Sequence, residues 1–433
     1  MRLRLIAMLL VAGPVWAQVP DPVRNADYVP VSEAEARLGQ LLFYDQVLSG
    51  NRNISCATCH NPRFGTSDGV SLSLGEGGVG LGPGRVADPD NLPEQRVPRN
   101  SPGLWNLGAR EFSVLFHDGR IEADASQPGG IRTPLGEDML EGFSGVLSAQ
   151  TMFPVLSQDE MAGHYSENDV SRAVRLGRIT GPGGAWDLIT QRVAGIAAYR
   201  GMFAETYPEI AAGRAIAFTD IANAIAGFIA AEWRSDDSPF DAYLRGERAL
   251  EAPAEAGRAL FYGAAGCAVC HSGAFQTDQQ FHAMGLVQIG PGKVARFESG
   301  AQDTGRMRVT GRVQDAYRFR TPSLRNVALT GPYGHDGAYR ELYDFVAAHG
   351  RSDGYDRSQA VLPDLPGAED WRALDDPAER AAIAAASERP DMVLSEAEVQ
   401  ALVAFLNSLT GESAVAGRLG VPDAVPSGLP VDR

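Results

Sequence analysis

Apolar positions recur at helical spacing in a few well-bounded stretches of the chain. Ser32-Glu33-Ala34-Glu35 has the form of a capping box, and Ala36, Leu38, Leu41, Leu42 and Phe43 follow it, which predicts a helix. Asp169 to Tyr207 reads as helices. Thr219 to Trp233 reads as another, with Thr219 as N-cap and Ile221, Ile225, Phe228 and Ile229 along one face. Ser235-Asp236-Asp237-Ser238-Pro239 breaks the pattern and predicts a boundary. Ser395-Glu396-Ala397-Glu398 caps a last helix carrying Val399, Leu402, Phe405 and Leu406, after which the chain ends in a Gly/Pro-rich tail.

The pattern also repeats. Gly39-Gln40-Leu41-Leu42-Phe43-Tyr44 returns as Gly257-Arg258-Ala259-Leu260-Phe261-Tyr262. The stretch from Arg99 to Asn106, ending in His117-Asp118-Gly119, is paralleled by Arg320 to Asn326, ending in His335-Asp336-Gly337. Such self-similarity predicts two related, mainly α-helical units, residues 18–236 and 237–433, joined and decorated by long loops.

Residues 1–17 have a different character. Arg2 and Arg4 precede an apolar run from Leu5 to Ala12, and Val15-Trp16-Ala17 offers small residues at a cleavage site, so the segment reads as a secretory signal peptide. Its apolar run is too short for an anchor, and no later stretch predicts a membrane span. A net charge of −16, becoming −18 without Arg2 and Arg4, argues against nucleic acid and suits a partner that docks through a basic patch.

Each unit carries one chemical motif. Cys56-Ala57-Thr58-Cys59-His60 and Cys267-Ala268-Val269-Cys270-His271 are c-type haem attachment sequences, in which the thiols form thioethers and the histidine ligates the iron. Together they use all 4 cysteines, leaving none for a disulfide. A zinc site or a redox pair is the rival reading, but zinc pairs usually lack a histidine fused to the second cysteine and a redox pair has no need of one. Two covalent haems also agree with an export signal. With 49 glycines and 27 prolines favouring turns, haem would supply much of the interior.

With these motifs in this order, the chain resembles the bacterial dihaem cytochrome c peroxidase and MauG superfamily over nearly its whole mature length. Arg99-Asn100-Ser101-Pro102, Phe116-His117-Asp118-Gly119-Arg120, Asp237-Ser238-Pro239-Phe240-Asp241 and Thr321-Pro322-Ser323-Leu324-Arg325-Asn326 through Pro332-Tyr333-Gly334-His335-Asp336-Gly337 carry the resemblance beside the haem motifs. It implies peroxide chemistry at the N-terminal haem, with Gln150 orienting peroxide, Pro154 shaping the distal face and Glu160 as acid/base. For the second haem it implies a distal ligand fourteen residues after His335, which is His349; Glu341 to Ala348 would form the helix delivering it, and His282 or Met284 are the alternatives. His117 and His335 would then contact the haem surroundings, and His164 would be a satisfied loop residue. A calcium ion held by the Asn100 side chain and the carbonyls of Thr330 and Pro332 is also implied.

The departures are as informative. Peroxidases of this kind carry a histidine that ligates the first iron at rest, and Glu76 stands at that position here; no histidine lies between His60 and His117. His117 replaces the tryptophan between the haems, and residues 121–149 form a longer segment than in short relatives. The resemblance implies a periplasmic enzyme that reduces hydrogen peroxide to water, with electrons from a small cytochrome c or cupredoxin relayed through the His271/His349 haem. A MauG-like oxidase acting on a partner protein is the second reading and a plain dihaem electron carrier the third. A homodimer is compatible with all three.

Overall fold

The computed structural model describes residues 18–293, 302–350, 354–389 and 392–433; the signal-peptide segment lies outside the described residues. The described residues are mainly helical with three small antiparallel sheets among them: Gly78–Val79 with Val86–Ala87, a three-stranded sheet Val114–Leu115, Ile121–Ala123 and Ile131–Arg132, and Phe281–His282 with Phe319–Arg320. Among the described residues no helix is long and apolar enough to cross a membrane.

The capped helices form where the local signals put them. Ser32 accepts from the Glu35 amide at the start of Glu33–Tyr44, and Ser395 does the same for Glu398 at the start of Glu396–Asn407. Asp169 to Tyr207 divides into helices Asp169–Arg175, Ala185–Gly195 and Ala197–Thr206. Thr219 is not an N-cap. The helix is Phe218–Glu232 and is capped at Ala217, whose amide donates to the Asp220 carboxylate at 2.8 Å, so a side chain inside the first turn does the capping.

Two helix pairs organise two apolar clusters. Glu33–Tyr44 crosses Phe218–Glu232 at Gly39, where an added Cβ would lie 1.8 Å from the Ala224 carbonyl oxygen. Ala252–Phe261 crosses Glu396–Asn407 at Gly257, where a Cβ would lie 1.9 Å from the Ala401 oxygen. Both glycines therefore permit a backbone-to-backbone approach that alanine would block. The first cluster gathers Leu38, Phe43, Trp186, Ile225, Phe228 and Trp233, the second Phe240, Phe261, Tyr262, Phe405 and Leu409. The clusters exchange material: Leu72 lies in the second, while Phe275, Ala414 and Val425 lie in the first. The Gly/Pro-rich tail is thus not a loose end. Gln40 donates to the Leu419 and Gly420 carbonyls, Ser427 donates to Asp45 at 2.6 Å, and Ser55 and Thr58 donate to Asp432.

The halves meet through their His-Asp-Gly turns, each docked on the other half. The Arg320 amide donates to the His117 carbonyl at 2.8 Å, and the Asn100 amide to the His335 carbonyl at 2.9 Å. Gly119 (φ +67°) faces Phe281 and Arg306, while Gly337 (φ +66°) faces Ser71 and Asn100; a Cβ at either position would lie within 3.0 Å of those atoms. A buried ion pair crosses the same seam: Arg99 grips Asp303 at 2.5 and 2.8 Å, and within its own half it also holds Asp118 at 2.7 Å.

Candidate active site

The first CxxCH forms a one-turn helix, Cys56–Cys59, with His60 as its C-cap. The His60 Nδ1 lies 3.0 Å from the Thr66 carbonyl, which fixes the ring and leaves Nε2 for a ligand bond. In the second motif the His271 Nδ1 lies 3.2 Å from the Gln276 carbonyl. Burial lowers the pKa of both rings; nearby His349 lowers that of His271 further, to about 4, and the backbones at Pro102 and Pro322 oppose the shift in the two sites respectively. Neutral imidazoles with one nitrogen engaged and the other free are the form that ligates iron.

None of the four cysteines pairs in a disulfide. Burial pushes Cys56 and Cys59 up to about 12 and Cys267 up to about 11, the opposite of a redox-active pair, whose thiolates are stabilised. The residues therefore fit covalent haem attachment.

His349 lies on the helix Leu342–Gly350, which starts one residue later and ends two residues later than the expected Glu341 to Ala348, and its Nδ1 faces the Phe345 carbonyl at 2.8 Å. It is close enough to His271 to depress that ring's pKa. The rival His282 has both ring nitrogens turned to carboxylates, Nε2 to Asp278 at 2.8 Å and Nδ1 to Glu388 at 3.3 Å.

On the first half, Gln150 ends the short helix Val146–Thr151 and Glu160 sits on the π-helical turn Gln158–Ala162. Glu160 and Pro154 line one cavity of about 230 Å³ together with Phe116, Arg120, Phe153, Leu156, Ser157 and Lys293. Gln150 is outside that lining, but its Oε1 is buried without a hydrogen-bond partner, an orphaned acceptor of the sort a bound group satisfies. Burial raises the pKa of Glu160, and Lys293 and Arg120 pull it back. Glu160 also lies within electrostatic reach of Cys59 of the first haem motif. Arg120 lies 3.5 Å over the Phe116 ring and bonds Asp118. Lys293 is the residue that motif reading missed; its one signal was being the sole lysine of the sequence.

Glu76 is 1% exposed, and its Oε1 accepts from the amides of Asn51 (3.1 Å), Asn53 (2.9 Å) and Asn91 (3.0 Å). The Asn100 amide donates to the Val70 and Ser71 carbonyls, leaving Oδ1 without a hydrogen bond among the described residues; Thr330 precedes the Gly331-Pro332 cis peptide. His117 is half-buried with Nε2 3.2 Å from the Asn100 carbonyl, and desolvation, Arg99 and His335 lower its pKa to about 3. His335 stacks on Phe319 with centroids 3.9 Å apart. His164, by contrast with the satisfied residue anticipated, buries Nε2 without a partner. Residues 121–149 supply two strands of the small sheet, and Glu122 pairs with Arg306 across the seam.

Two CxxCH motifs with fixed histidines, together with a half-buried carboxylate lining a cavity, define a c-type haem oxidoreductase. A family model for di-haem cytochrome c peroxidase matches residues 33–249. The chain is 32% identical to cytochrome c551 peroxidase of Pseudomonas aeruginosa over 79% of both proteins, and 29% identical to the methylamine utilization protein MauG of Methylorubrum extorquens over 92% of this chain and 82% of that one. The fold is similar to the crystal structure of a MauG-like protein associated with microbial copper homeostasis, with a TM-score of 0.59, 26% identity, and coverage of 94% of this chain and 97% of that one. The chain belongs to the di-haem cytochrome c peroxidase family, which includes MauG, and is an oxidoreductase carrying c-type haem.

Proposed function

We propose that this protein is a periplasmic dihaem peroxidase that reduces hydrogen peroxide to water beside the His60-ligated haem, with electrons relayed through a haem ligated by His271 and His349. Units 18–236 and 237–433 would each hold one haem. The observation that carries the reading is Glu160, a half-buried carboxylate whose pKa desolvation raises, lining a cavity within electrostatic reach of the first CxxCH. Peroxide bound there must lose a proton from one oxygen and gain one on the departing oxygen, and a single carboxylate can do both. The orphaned Gln150 oxygen is suited to accept a hydrogen bond from peroxide, and Pro154 adds wall without offering a ligand. The electron donor would be a small cytochrome c or cupredoxin, and a calcium ion at Asn100, Thr330 and Pro332 would brace the seam.

The test is steady-state consumption of peroxide by the holoprotein with a reduced small donor. Rapid turnover is the expected result, slowed by about 10²- to 10⁴-fold in Glu160→Gln with both haems still attached. A wild-type rate in that variant removes Glu160 from the chemistry. The likeness to MauG over 92% of the chain supports a second reading, oxidation of a partner protein with equivalents drawn from peroxide. Slow turnover with small donors and fast reaction with one protein target would favour it.

A further inference from the structure

Among the described residues, the charges around the Glu160 cavity leave one cation without a counterpart. Arg99 is paired with Asp303 and Asp118, and Arg120 with Asp118, whereas Lys293 forms no hydrogen bond or ion pair among the described residues. Among the described residues, the charged groups within electrostatic reach of it are Arg120, Arg99, Asp118 and Glu160. An ammonium half withdrawn from water is costly unless something negative meets it. The set of Arg99, Arg120 and Lys293 against Asp118, Asp303 and Glu160 is neutral only while Glu160 is ionised. Proton uptake by Glu160 leaves Lys293 facing an open, electrically uncompensated cavity.

Resting on the reading of Glu160 as the base, we propose that Lys293 is the residue that holds the hydroperoxide anion, and that the cavity therefore takes small monoanions generally. The step balances without any further reactant. Hydrogen peroxide loses one O–H bond, a new O–H bond forms on the Glu160 carboxylate, and the negative charge moves from that carboxylate to the hydroperoxide beside the Lys293 ammonium. The cavity contains one negative and one positive partner before and after, so proton transfer does not create an isolated charge in a low-dielectric site. Burial, with Arg120 and Arg99, brings the Lys293 pKa down to about 8, which keeps the ammonium charged at neutral pH. At about 230 Å³ the cavity has room for an anion of a few heavy atoms with water, and Phe116, Phe153 and Pro154 give its remaining wall little to offer a larger polar ligand.

The probe is azide, titrated into the oxidised holoprotein and read by haem absorbance, with neutral imidazole as the comparison. Lys293→Met should weaken azide binding about tenfold or more, the loss of one charge-assisted hydrogen bond, and leave imidazole binding within about twofold. Lys293→Arg should retain azide binding, and Lys293→Gln serves as a second charge-free variant if the methionine protein accumulates poorly. Equal azide affinity in wild type and the charge-free variants, or no azide binding to wild type, overturns the proposal; so does parallel loss of azide and imidazole, which would mark a merely structural lysine. The two readings fail separately. Normal peroxide rates in Glu160→Gln with azide binding still dependent on Lys293 would remove the base and keep the anion site, and the converse pattern would remove only Lys293.

Discussion

Fully oxidised protein given peroxide without any reductant should react with no lag, because the residue standing where related peroxidases carry a resting-state histidine is tied down. Glu76 would have to leave three amide donors, at 3.1, 2.9 and 3.0 Å, to reach an iron. Hydrogen bonds to a charged group are worth about 1.5–3 kcal/mol each. Since all three converge on one oxygen they do not add fully, but two at the low end already amount to about 3 kcal/mol, which holds a swung-out form below about 1%. His117 is no better placed, with Nε2 at the Asn100 carbonyl. The assay is electron paramagnetic resonance of the ferric protein followed by stopped-flow mixing with peroxide. One high-spin signal beside one low-spin signal is expected, and Glu76→Gln, which keeps the shape of the side chain while costing about 1–3 kcal/mol of stability, should leave the high-spin signal unchanged. Two low-spin signals in wild type, with a lag that pre-reduction abolishes, would refute the reasoning; a spectrum altered only by Glu76→Gln would identify Glu76 as the ligand.

Three further outcomes are expected. His349→Met should raise the potential of the second haem, because thioether ligation favours the ferrous state relative to imidazole; spectroelectrochemistry showing an unchanged couple would place the ligand elsewhere. Gly257→Ala should lower stability by about 2 kcal/mol, since a gain of ~1 kcal/mol in helix propensity is outweighed by overpacking of about 3 kcal/mol against the Ala401 carbonyl, and thermal melting that does not change would rule out the close crossing. Burial pushes the Asp303 carboxyl up, but the Arg99 guanidinium more than offsets this and holds it at about 2. A folded-state value below the unfolded one means a contribution, roughly 2 kcal/mol, that is complete above about pH 4 and lost as pH falls toward 2; urea unfolding at pH 5 and pH 3 should show it in wild type and not in Asp303→Asn.

Local signals were readable wherever the physics is local. The caps at Ser32 and Ser395, the helical faces behind them and the two CxxCH motifs each depend on residues within a turn or two, and each is present as anticipated. The Phe218–Glu232 helix shows the limit of such rules: Thr219 looks like a cap, but Asp220, held by Arg214 at 2.8 and 2.9 Å, captures the Ala217 amide and starts the helix earlier. Features that depend on distant segments were not readable. Asn51, Asn53 and Asn91 are unremarkable loop residues in sequence and become a cage only when Glu76 is folded among them. The tail looks disposable by composition, but its Asp432 reaches Ser55 and Thr58 beside the first haem motif, contacts separated by more than 370 positions. Lys293 enters the Glu160 cavity from the opposite half of the chain, and no periodicity or motif records that approach.

The two haem motifs are alike on the proximal side and unlike on the distal side, and this asymmetry is where a division of labour would arise. Each proximal histidine points Nδ1 at a backbone carbonyl, Thr66 or Gln276, and each has a proline backbone, Pro102 or Pro322, as a further neighbour. Neutral carbonyl acceptors of this kind would tune the two irons similarly, so proximal ligation gives no reason for one to react and the other to store electrons. The distal surroundings do. Around the Glu160 cavity stand a carboxylate with its pKa raised by burial and, reaching in from the other half, an ammonium with no ion pair among the described residues; an orphaned glutamine oxygen lies outside that lining, and Glu76 is caged. The second half presents an imidazole, His349, on a regular helix close to His271. A scaffold that repeats its helix crossing at Gly39 and Gly257 can thus hold one site open to a small oxidant and close the other, by changes confined to the side chains that face each distal space.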